Sequence, residues 1–306
     1  MSEQKTYELI HEPEYAQSAN SLFHFVNREE YLFSAIDNKC LSPRYCYEDI
    51  GYLNLRLNGI QIQRIAVLEK CFCDIPLHQL STVFELEVLN KDQIESNDHI
   101  ETELKMNTHP KFYGSFAIAF AKEWCIKNNL QPIHYVNPQS ALVTDFRKMF
   151  EYVWCLDDLD DSISNGVINK LAFIKPLKGK MSRIIEGKSV FFNKNFHDER
   201  EWRFVPPTES LETKELNSII FKPMILNEIN EINNRIAGEE YKIIHLNFEY
   251  SDIRYLIVPT ESDKNKLIQH ILDLEDSYFT VDSEPLIEKA QMISKILVLN
   301  ELSRDW

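Results

Sequence analysis

The residues best suited to chemistry lie in one short stretch, FHDEREWRFVPP, at positions 196–207. If this stretch is a strand, its side chains alternate between two faces, and Glu199, Glu201 and Arg203 share one of them. Two carboxylates and a guanidinium on one face of a central strand are unfavourable unless that face lines a cleft or every charge is paired. The pattern therefore allows two interpretations: a polar site on a central strand, or an edge strand with a solvated face and an internal Glu–Arg pair.

A run of cations comes directly before this strand. Residues 170–194 hold seven lysine and arginine residues against one acid, Glu186, in a chain of net charge −15. One interpretation is a solvated loop whose cations balance the aspartates at 157–161. The other is a binding site for a polyanionic acceptor, a strand of RNA or DNA held through its phosphates. The residues predicted to contact that acceptor are Lys175, Lys178, Lys180 and Arg183.

Composition bounds the class of protein. The 306 residues are 44% hydrophobic and 26% charged, which is typical of a soluble globular protein with a substantial core. The chain holds only 7 glycines and neither of the glycine-rich phosphate-binding motifs. Its negative charge disfavours indiscriminate nucleic-acid binding. Scattered cysteines, and the lack of an apolar run long enough for a signal or a membrane span, predict a cytoplasmic protein.

The aspartate-rich segment CLDDLDDSISNG, at 155–166, is the other place where a ligand could bind. Its spacing does not fit a calcium loop, because Gly166 is in the wrong register. We interpret it as a solvated turn and predict no metal site. A metal-dependent nuclease that uses these aspartates with the basic stretch remains a further alternative.

Hydrophobic periodicity predicts alternating strands and helices around these residues. Strands are predicted at 22–26, 60–75, 112–120, 133–136, 171–174, 241–248 and 252–259. Helices are predicted at 28–37, 122–129, 140–157, 226–238, 260–272 and 284–302, with Asn27 and Ser262 as N-caps of two of them. This predicts an α+β fold. Residues 1–20 are expected to form a polar arm, and 21–306 a single domain in which 217–306 could be a subdomain.

Four segments, in this order, resemble the AbiGi abortive-infection family of bacterial phage defence. They are LFHFVNREEYLFSAIDNKCLSPRY, YGSFAIAFAKEWCIKNNLQPIHYVN, DEREWRFVP and DIRYLIVPTESDKNKLI. The order of His24, Tyr113 and Glu201 at the mouths of predicted strands is also similar to the mono-ADP-ribosyltransferase fold. These resemblances imply an ADP-ribosyltransferase-like fold, with a mixed or antiparallel split sheet and peripheral helices. They also imply a protein of an abortive-infection or toxin–antitoxin system.

The same resemblance implies NAD as substrate and a role for each residue. Cleavage of the nicotinamide–ribose bond passes through an oxocarbenium-like state, which a carboxylate near the ribose stabilises. Glu201 would be that carboxylate, and Glu199 would orient the acceptor, a nucleic acid or a protein. His24 would donate to the ribose, Tyr113 would offer its ring to the nicotinamide, and Arg44 is a further predicted cofactor-binding residue.

The alternative hypothesis is a catalytically silent member of the same fold that acts as an antitoxin or sensor by binding a partner protein. Glu201 and Arg203 would then be a structural ion pair. His24 would be a core histidine with satisfied hydrogen bonds, and Tyr113 a core aromatic residue.

Overall fold

The computed structural model describes residues 18–57, 59–83, 113–155, 161–185, 188–221, 226–279 and 284–305. The helices are α1 Glu29–Asn38, α2 Leu77–Val83, α3 Lys122–Lys127, α4 Ala141–Trp154, α5 Asp161–Lys170, α6 Thr208–Glu212, α7 Leu226–Ile236, α8 Glu261–Asp273, α9 Pro285–Ser294 and α10 Leu299–Asp305. The strands are β1 Ser21–Val26, β2 Cys40–Leu41, β3 Arg44–Asp49, β4 Arg56–Leu57, β5 Ile60–Gln61, β6 Arg64–Cys73, β7 Phe116–Ala121, β8 Gln131–Pro132, β9 His134–Val136, β10 Ile174–Pro176, β11 Lys178–Ile185, β12 Lys188–Asn195, β13 Glu201–Phe204, β14 Ile219–Ile220, β15 Leu246–Asn247, β16 Ile253–Val258 and β17 Ile296–Val298.

The long strand β6 is the centre of a nine-stranded mixed sheet with the order β17-β16-β7-β1-β6-β13-β8. Strands β3 and β14 pair with the first half of β6, whereas β1 and β13 pair with its second half. Among the described strands of this sheet, only the β16–β17 pair is parallel. The predicted α+β class, with a mixed sheet and peripheral helices, is confirmed.

Apolar side chains cover both faces of the sheet. On one face Leu22, Phe72 and Phe120 are buried in a cluster that also takes in the apolar residues of α1 and α8. On the other face Ile65 and Val67 pack with the buried side of α4 and α5. Each of these helices presents an apolar stripe to the sheet, as the helical period requires. Among the described residues, no helix is both long enough and apolar enough to cross a membrane.

Most predicted elements are confirmed within a few residues, but two helix caps differ from the prediction. Arg28, rather than Asn27, is the N-cap residue of α1, and its side chain makes no capping hydrogen bond. Thr260, rather than Ser262, caps α8, because its hydroxyl accepts a hydrogen bond from the backbone amide of Asp263. Threonine fills this position well, since a short side-chain oxygen satisfies a free amide of the first turn.

Three predicted elements are wrong in type. The predicted strand at 241–248 is a 3-10 helix, Glu239–Ile244, followed by the short strand β15. Its buried residues, Tyr241 and Ile244, are three apart, so they share one side of a 3-10 helix but would lie on opposite faces of a strand. The predicted strand at 171–174 is a 3-10 turn that leads into β10. The single helix predicted at 284–302 is α9, β17 and α10, because residues 296–298 pair with β16.

The predicted strand at 196–207 is shorter than expected. Residues Phe196–Glu199 form a 3-10 turn, and Arg200 follows with a left-handed φ of 44°. Only Glu201–Phe204 are extended, between β6 and the short edge strand β8. Glu199 therefore lies just outside the strand that carries Glu201.

The basic segment is a β-hairpin rather than a loop. Strands β11 and β12 pair antiparallel from Lys178↔Asn195 to Ile185↔Lys188. The aspartate-rich segment before it is helical from Asp161 onward, so the predicted turn is wrong for that part. Residues 156–160, like most of the predicted arm at 1–20, lie outside the described residues. Strands β16 and β17, from the C-terminal segment, lie in the main sheet, and the predicted division into domains stays a prediction.

Candidate functional site: a buried cluster of charges

Glu199, Glu201 and Arg203 meet in a cluster of charged side chains on one face of the sheet. In the register of β6 and β13, Glu201 lies opposite Cys73 and Arg203 lies opposite Cys71. Strands β3, β10 and β12 bring further side chains to the same place. We call the whole group the charge cluster; its members are Glu48, Glu69, Tyr113, Lys175, Lys194, Glu199, Glu201 and Arg203.

Arg203 is the centre of the charge cluster, and its side chain is completely buried. Its Nε donates to Glu201 Oε1 at 2.5 Å, and its Nη2 donates to Glu48. Its Nη1 donates to the carbonyl of Ala172 at 2.7 Å and lies 2.9 Å from Glu69 Oε2. All three guanidinium nitrogens are thus engaged, which is what a buried arginine requires.

Glu201 is bound on both carboxylate oxygens. Oε1 accepts from Arg203, and Oε2 accepts from Lys175 Nζ at 2.8 Å. Burial alone would raise the pKa of Glu201, but the charges of Arg203 and Lys175 outweigh it and hold that pKa well below its usual range. Glu201 is therefore a buried, ionised carboxylate. Its backbone amide donates to the Tyr135 hydroxyl at 2.8 Å, which fixes the start of β13.

Glu199 forms the second half of the cluster. Its carboxylate lies 3.2 Å from Lys175 Nζ and 2.5 Å from Lys194 Nζ, and it accepts a hydrogen bond from the Tyr113 hydroxyl. Lys194 also donates to that hydroxyl at 2.7 Å. Burial opposes ionisation, but the two lysines lower the pKa of Glu199. Lys175 thus bridges the two glutamates that the sequence singles out.

Glu69 is the exception among the four acids. Burial raises its pKa to about 8, against the pull of Arg203 and with a further push from Glu48 and Glu201. Although Arg203 is near, Glu69 Oε2 accepts no hydrogen bond from the described residues. Glu69 is thus the acid of the cluster that most favours its neutral form, while the other three acids face three cations. Such pairing is what makes a group of buried charges tolerable.

The cluster contains a group of possible metal ligands, Glu69, Cys71 and Glu201, whose ligand atoms all lie within 4.8 Å of one another. Arg203 contacts both carboxylates of this group, and Lys175 contacts one of them. Two cationic side chains therefore stand where a metal ion would need to be, and the group is a poor fit for one. No other such group occurs among the described residues.

The structure does not bring His24 to the charge cluster. Phe23, Cys73 and Glu201 are register partners across three strands and share one face, so His24 and Phe72 lie on the other. The His24 ring is 5.5 Å from that of Phe72, and its Nδ1 donates to the carbonyl of Cys71 at 2.8 Å. The role of His24 in cofactor binding stays a prediction. A ligand bound at the charge cluster would lie on the opposite face of the sheet from His24.

The other predicted residues are divided between the cluster and the surface. Arg44 is exposed at the start of β3, opposite Glu69 in the register, and makes no ion pair with a described residue. Lys178 and Lys180 are exposed on the hairpin, and the side chain of Arg183 lies outside the described residues. Lys175 is inside the cluster, where its charge is balanced by glutamates. The acceptor-binding role of these residues stays a prediction.

Sequence reasoning missed Glu48, Glu69 and Lys194 as members of the cluster. Glu48 and Glu69 lie on β3 and β6, far from Glu201 in sequence, and only the register of three strands unites them. A signal existed for Glu69, because a charged residue inside the apolar run RIAVLEKCFC must be paired if that run is central. Lys194 gave no signal beyond the general basicity of its segment.

The geometry defines a mixed α+β protein with a buried cluster of paired charges. The family model described as "Putative abortive phage resistance protein AbiGi, antitoxin" matches residues 100–259. The chain is also similar to the abortive phage resistance protein AbiGi of Lactococcus lactis subsp. cremoris, with 32% identity over 274 residues, 86% of this chain and 98% of the relative. The chain therefore belongs to the AbiGi family. No solved structure matches it significantly.

Proposed function

We propose that this protein is an antitoxin of a phage-defence system and neutralises a toxin protein by binding it. The observation that carries the proposal is the state of Glu201. A catalytic carboxylate needs a free oxygen for its substrate, whereas both oxygens of Glu201 are bound, by Arg203 and Lys175, and the residue is 4% exposed. The charge cluster is then a structural element that holds β6, β13 and β10 together, as the silent-member hypothesis expects.

The family description supports the same conclusion, because it names an antitoxin. An antitoxin needs a stable surface for its partner and does not need a reaction centre. The charge cluster stabilises the fold only while all its members are present, since removing one member leaves another buried and unpaired. The phage-defence role rests on that description and on the name of the AbiGi relative, whereas a toxin partner rests on the word antitoxin in the description alone.

The candidate toxin is the product of the gene next to the one that encodes this protein. Growth of cells that express this neighbouring gene, with and without this protein, tests the proposal. We expect this protein to be harmless alone and to restore growth when the neighbour is toxic. Glu199→Gln and Glu201→Gln should still restore growth, provided that circular dichroism shows each variant to be folded. Toxicity of this protein by itself, lost in a folded Glu201→Gln variant, would contradict the proposal.

ADP-ribosyl transfer from NAD is the second candidate function. Tyr113, Glu199 and Glu201 do meet in one cluster, and Lys175 and Lys194 are partly exposed at its border, with 13% and 16% of their side-chain surface accessible. A ligand that displaced Lys175 would free one oxygen of each glutamate. Nucleic acid or protein would then be the acceptor.

Labelled NAD, mixed with this protein and a cell extract, separates the two functions. Transfer requires label on protein or nucleic acid that Glu201→Gln abolishes. The antitoxin function predicts no transfer and a complex with the toxin that both glutamine variants retain.

A further inference from the structure

A thiol and an imidazole meet where strand β2 pairs with β15. Cys40 lies opposite Asn247 in the register of this antiparallel pair. His245 is two residues before Asn247 and also has an extended backbone, so its side chain shares the face of Cys40. The Cys40 Sγ and the His245 Nδ1 are 3.4 Å apart, which is hydrogen-bond distance for sulfur. Cys40 is half-buried and Asn247 is exposed, so the thiol lies close to solvent.

The imidazole of His245 is held in the tautomer that can accept a proton from the thiol. Its Nε2 lies 2.7 Å from the carbonyl oxygen of Ile236. A carbonyl oxygen only accepts, so Nε2 carries the hydrogen and donates it, and Nδ1 of the neutral ring is an acceptor. Burial lowers the pKa of His245 below its ordinary value, which keeps the ring neutral near pH 7. The Cys40 thiol therefore donates to Nδ1.

We propose that Cys40 is a nucleophilic thiol activated by His245, and that it exchanges with low-molecular-weight disulfides such as glutathione disulfide. Activated thiols and hydroxyls share one arrangement, in which the nucleophile contacts a base and a third group orients that base. Here Cys40 is the nucleophile, His245 is the base, and the carbonyl of Ile236 is the orienting group. The product is a mixed disulfide on Cys40.

The exchange needs no reactant besides the disulfide. The thiol proton moves to His245 Nδ1 as the Cys40 Sγ attacks one sulfur of the disulfide. A new S–S bond forms to Cys40, the S–S bond of the reagent breaks, and the departing thiolate takes the proton from the imidazolium. Cys40 is thereby oxidised, and one half of the reagent is reduced to a free thiol.

The charged groups that act on this pair are two lysines and one glutamate. Burial raises the pKa of Cys40 and Glu239 adds to that effect, whereas Lys242 and Lys70 oppose it. The net result is a raised pKa, so Cys40 is a protonated thiol near pH 7 and reacts only when a base removes its proton. The same three charged side chains act on His245. The reactivity of Cys40 therefore depends on the imidazole.

Two other cysteines serve as internal controls. Cys46 is also half-buried, and burial raises its pKa to about 12, but its thiol makes no hydrogen bond to an imidazole of the described residues. Cys155 is exposed at the end of α4 and reports whether the reagent is active. A comparison of Cys40 with Cys46 therefore separates the effect of the imidazole from that of burial.

Reaction of the full chain with glutathione disulfide, followed by peptide mass spectrometry of each cysteine, tests the proposal. Cys40 should form its mixed disulfide about tenfold faster than Cys46 or more. His245→Gln should slow Cys40 by about tenfold or more and leave Cys155 unchanged, because glutamine can still donate to a carbonyl but cannot take up the proton. Equal rates at Cys40 and Cys46 would overturn the proposal, as would an unchanged Cys40 rate in a His245→Gln variant that melts like the wild type.

The pH dependence of the rate is a second readout that needs no variant. Between about pH 6.5 and pH 7.5 the imidazole is mostly neutral, so the rate at Cys40 should change by less than about twofold. The rate at Cys46 should rise about tenfold, in proportion to its thiolate. Lys70, whose pKa is about 8, stays mostly charged over this range. A tenfold rise at Cys40 would show that His245 is not the base, and the proposal would fail. None of these outcomes bears on the antitoxin function, which the growth assay tests separately.

Discussion

At the scale of single residues, Arg203 is the side chain on which the charge cluster most depends. It is fully buried and contacts Glu48, Glu69 and Glu201. Its own burial is costly, and only these contacts offset that cost. The sequence alone predicts the pair of Glu201 and Arg203, since unlike charges two residues apart on a strand can pair. It does not reveal Glu48, because the register between β3 and β6 is set by packing rather than by local pattern.

Replacing Arg203 by methionine keeps most of the volume and removes the guanidinium. Glu201 then loses its donor on Oε1, and Glu48 loses its partner inside a buried cluster. We expect the free energy of unfolding to fall by about 3–5 kcal/mol, as measured by urea denaturation. The matched control is Lys242→Met, which removes an ion pair to Glu239 whose side chains are 50% and 78% exposed and should cause no measurable loss. Equal stability of the two variants would show that the cluster is not structural.

At the scale of elements, the sequence predicts the presence of a helix or strand well where the hydrophobic residues of a segment follow one clear period. Strands β1, β7 and β16 and helices α1, α4 and α8 lie close to their predicted positions. The failures have physical causes outside the segment. Residues 296–298 leave their predicted helix because β16 offers them an open edge, which no local propensity encodes. The strand at 196–207 is cut by Arg200, whose left-handed conformation the sequence does not indicate.

Two glycines make a matched pair at this scale. Gly114 has a φ of +108°, and a Cβ there would lie 2.0 Å from the carbonyl oxygen of Val26. Gly166 lies inside α5, and a Cβ added to it would meet no atom within 4 Å. Gly114→Ala should therefore destabilise the protein severely and displace Tyr113, whereas Gly166→Ala should stabilise it by about 0.5–1 kcal/mol. Thermal denaturation measures both; a tolerated Gly114→Ala would contradict the close approach of this glycine to the end of β1.

At the scale of the whole molecule, the cations of the basic stretch at 170–194 are divided between the buried charge cluster and the exposed hairpin. The sequence predicts a basic stretch beside a catalytic strand. In the structure, Lys175 and Lys194 are paired inside the charge cluster, whereas Lys178 and Lys180 are exposed on the hairpin. The net charge of −15 gives the molecule as a whole a negative field. Such a field repels polyanions at long range and attracts a basic partner.

The antitoxin function therefore predicts association with a basic toxin surface that depends on salt. The association rate with the neighbour-encoded toxin, measured by stopped flow, should fall as salt rises, while the dissociation rate changes little. The double variant Lys178→Glu, Lys180→Glu takes the net charge from −15 to −19, because each substitution changes it by two units. This variant should associate faster if the negative field of the whole molecule steers the encounter. It should associate more slowly if the lysines of the hairpin themselves contact the partner or a bound polyanion. An association rate that is independent of salt would rule out electrostatic steering and place the specificity of the complex in its apolar contacts.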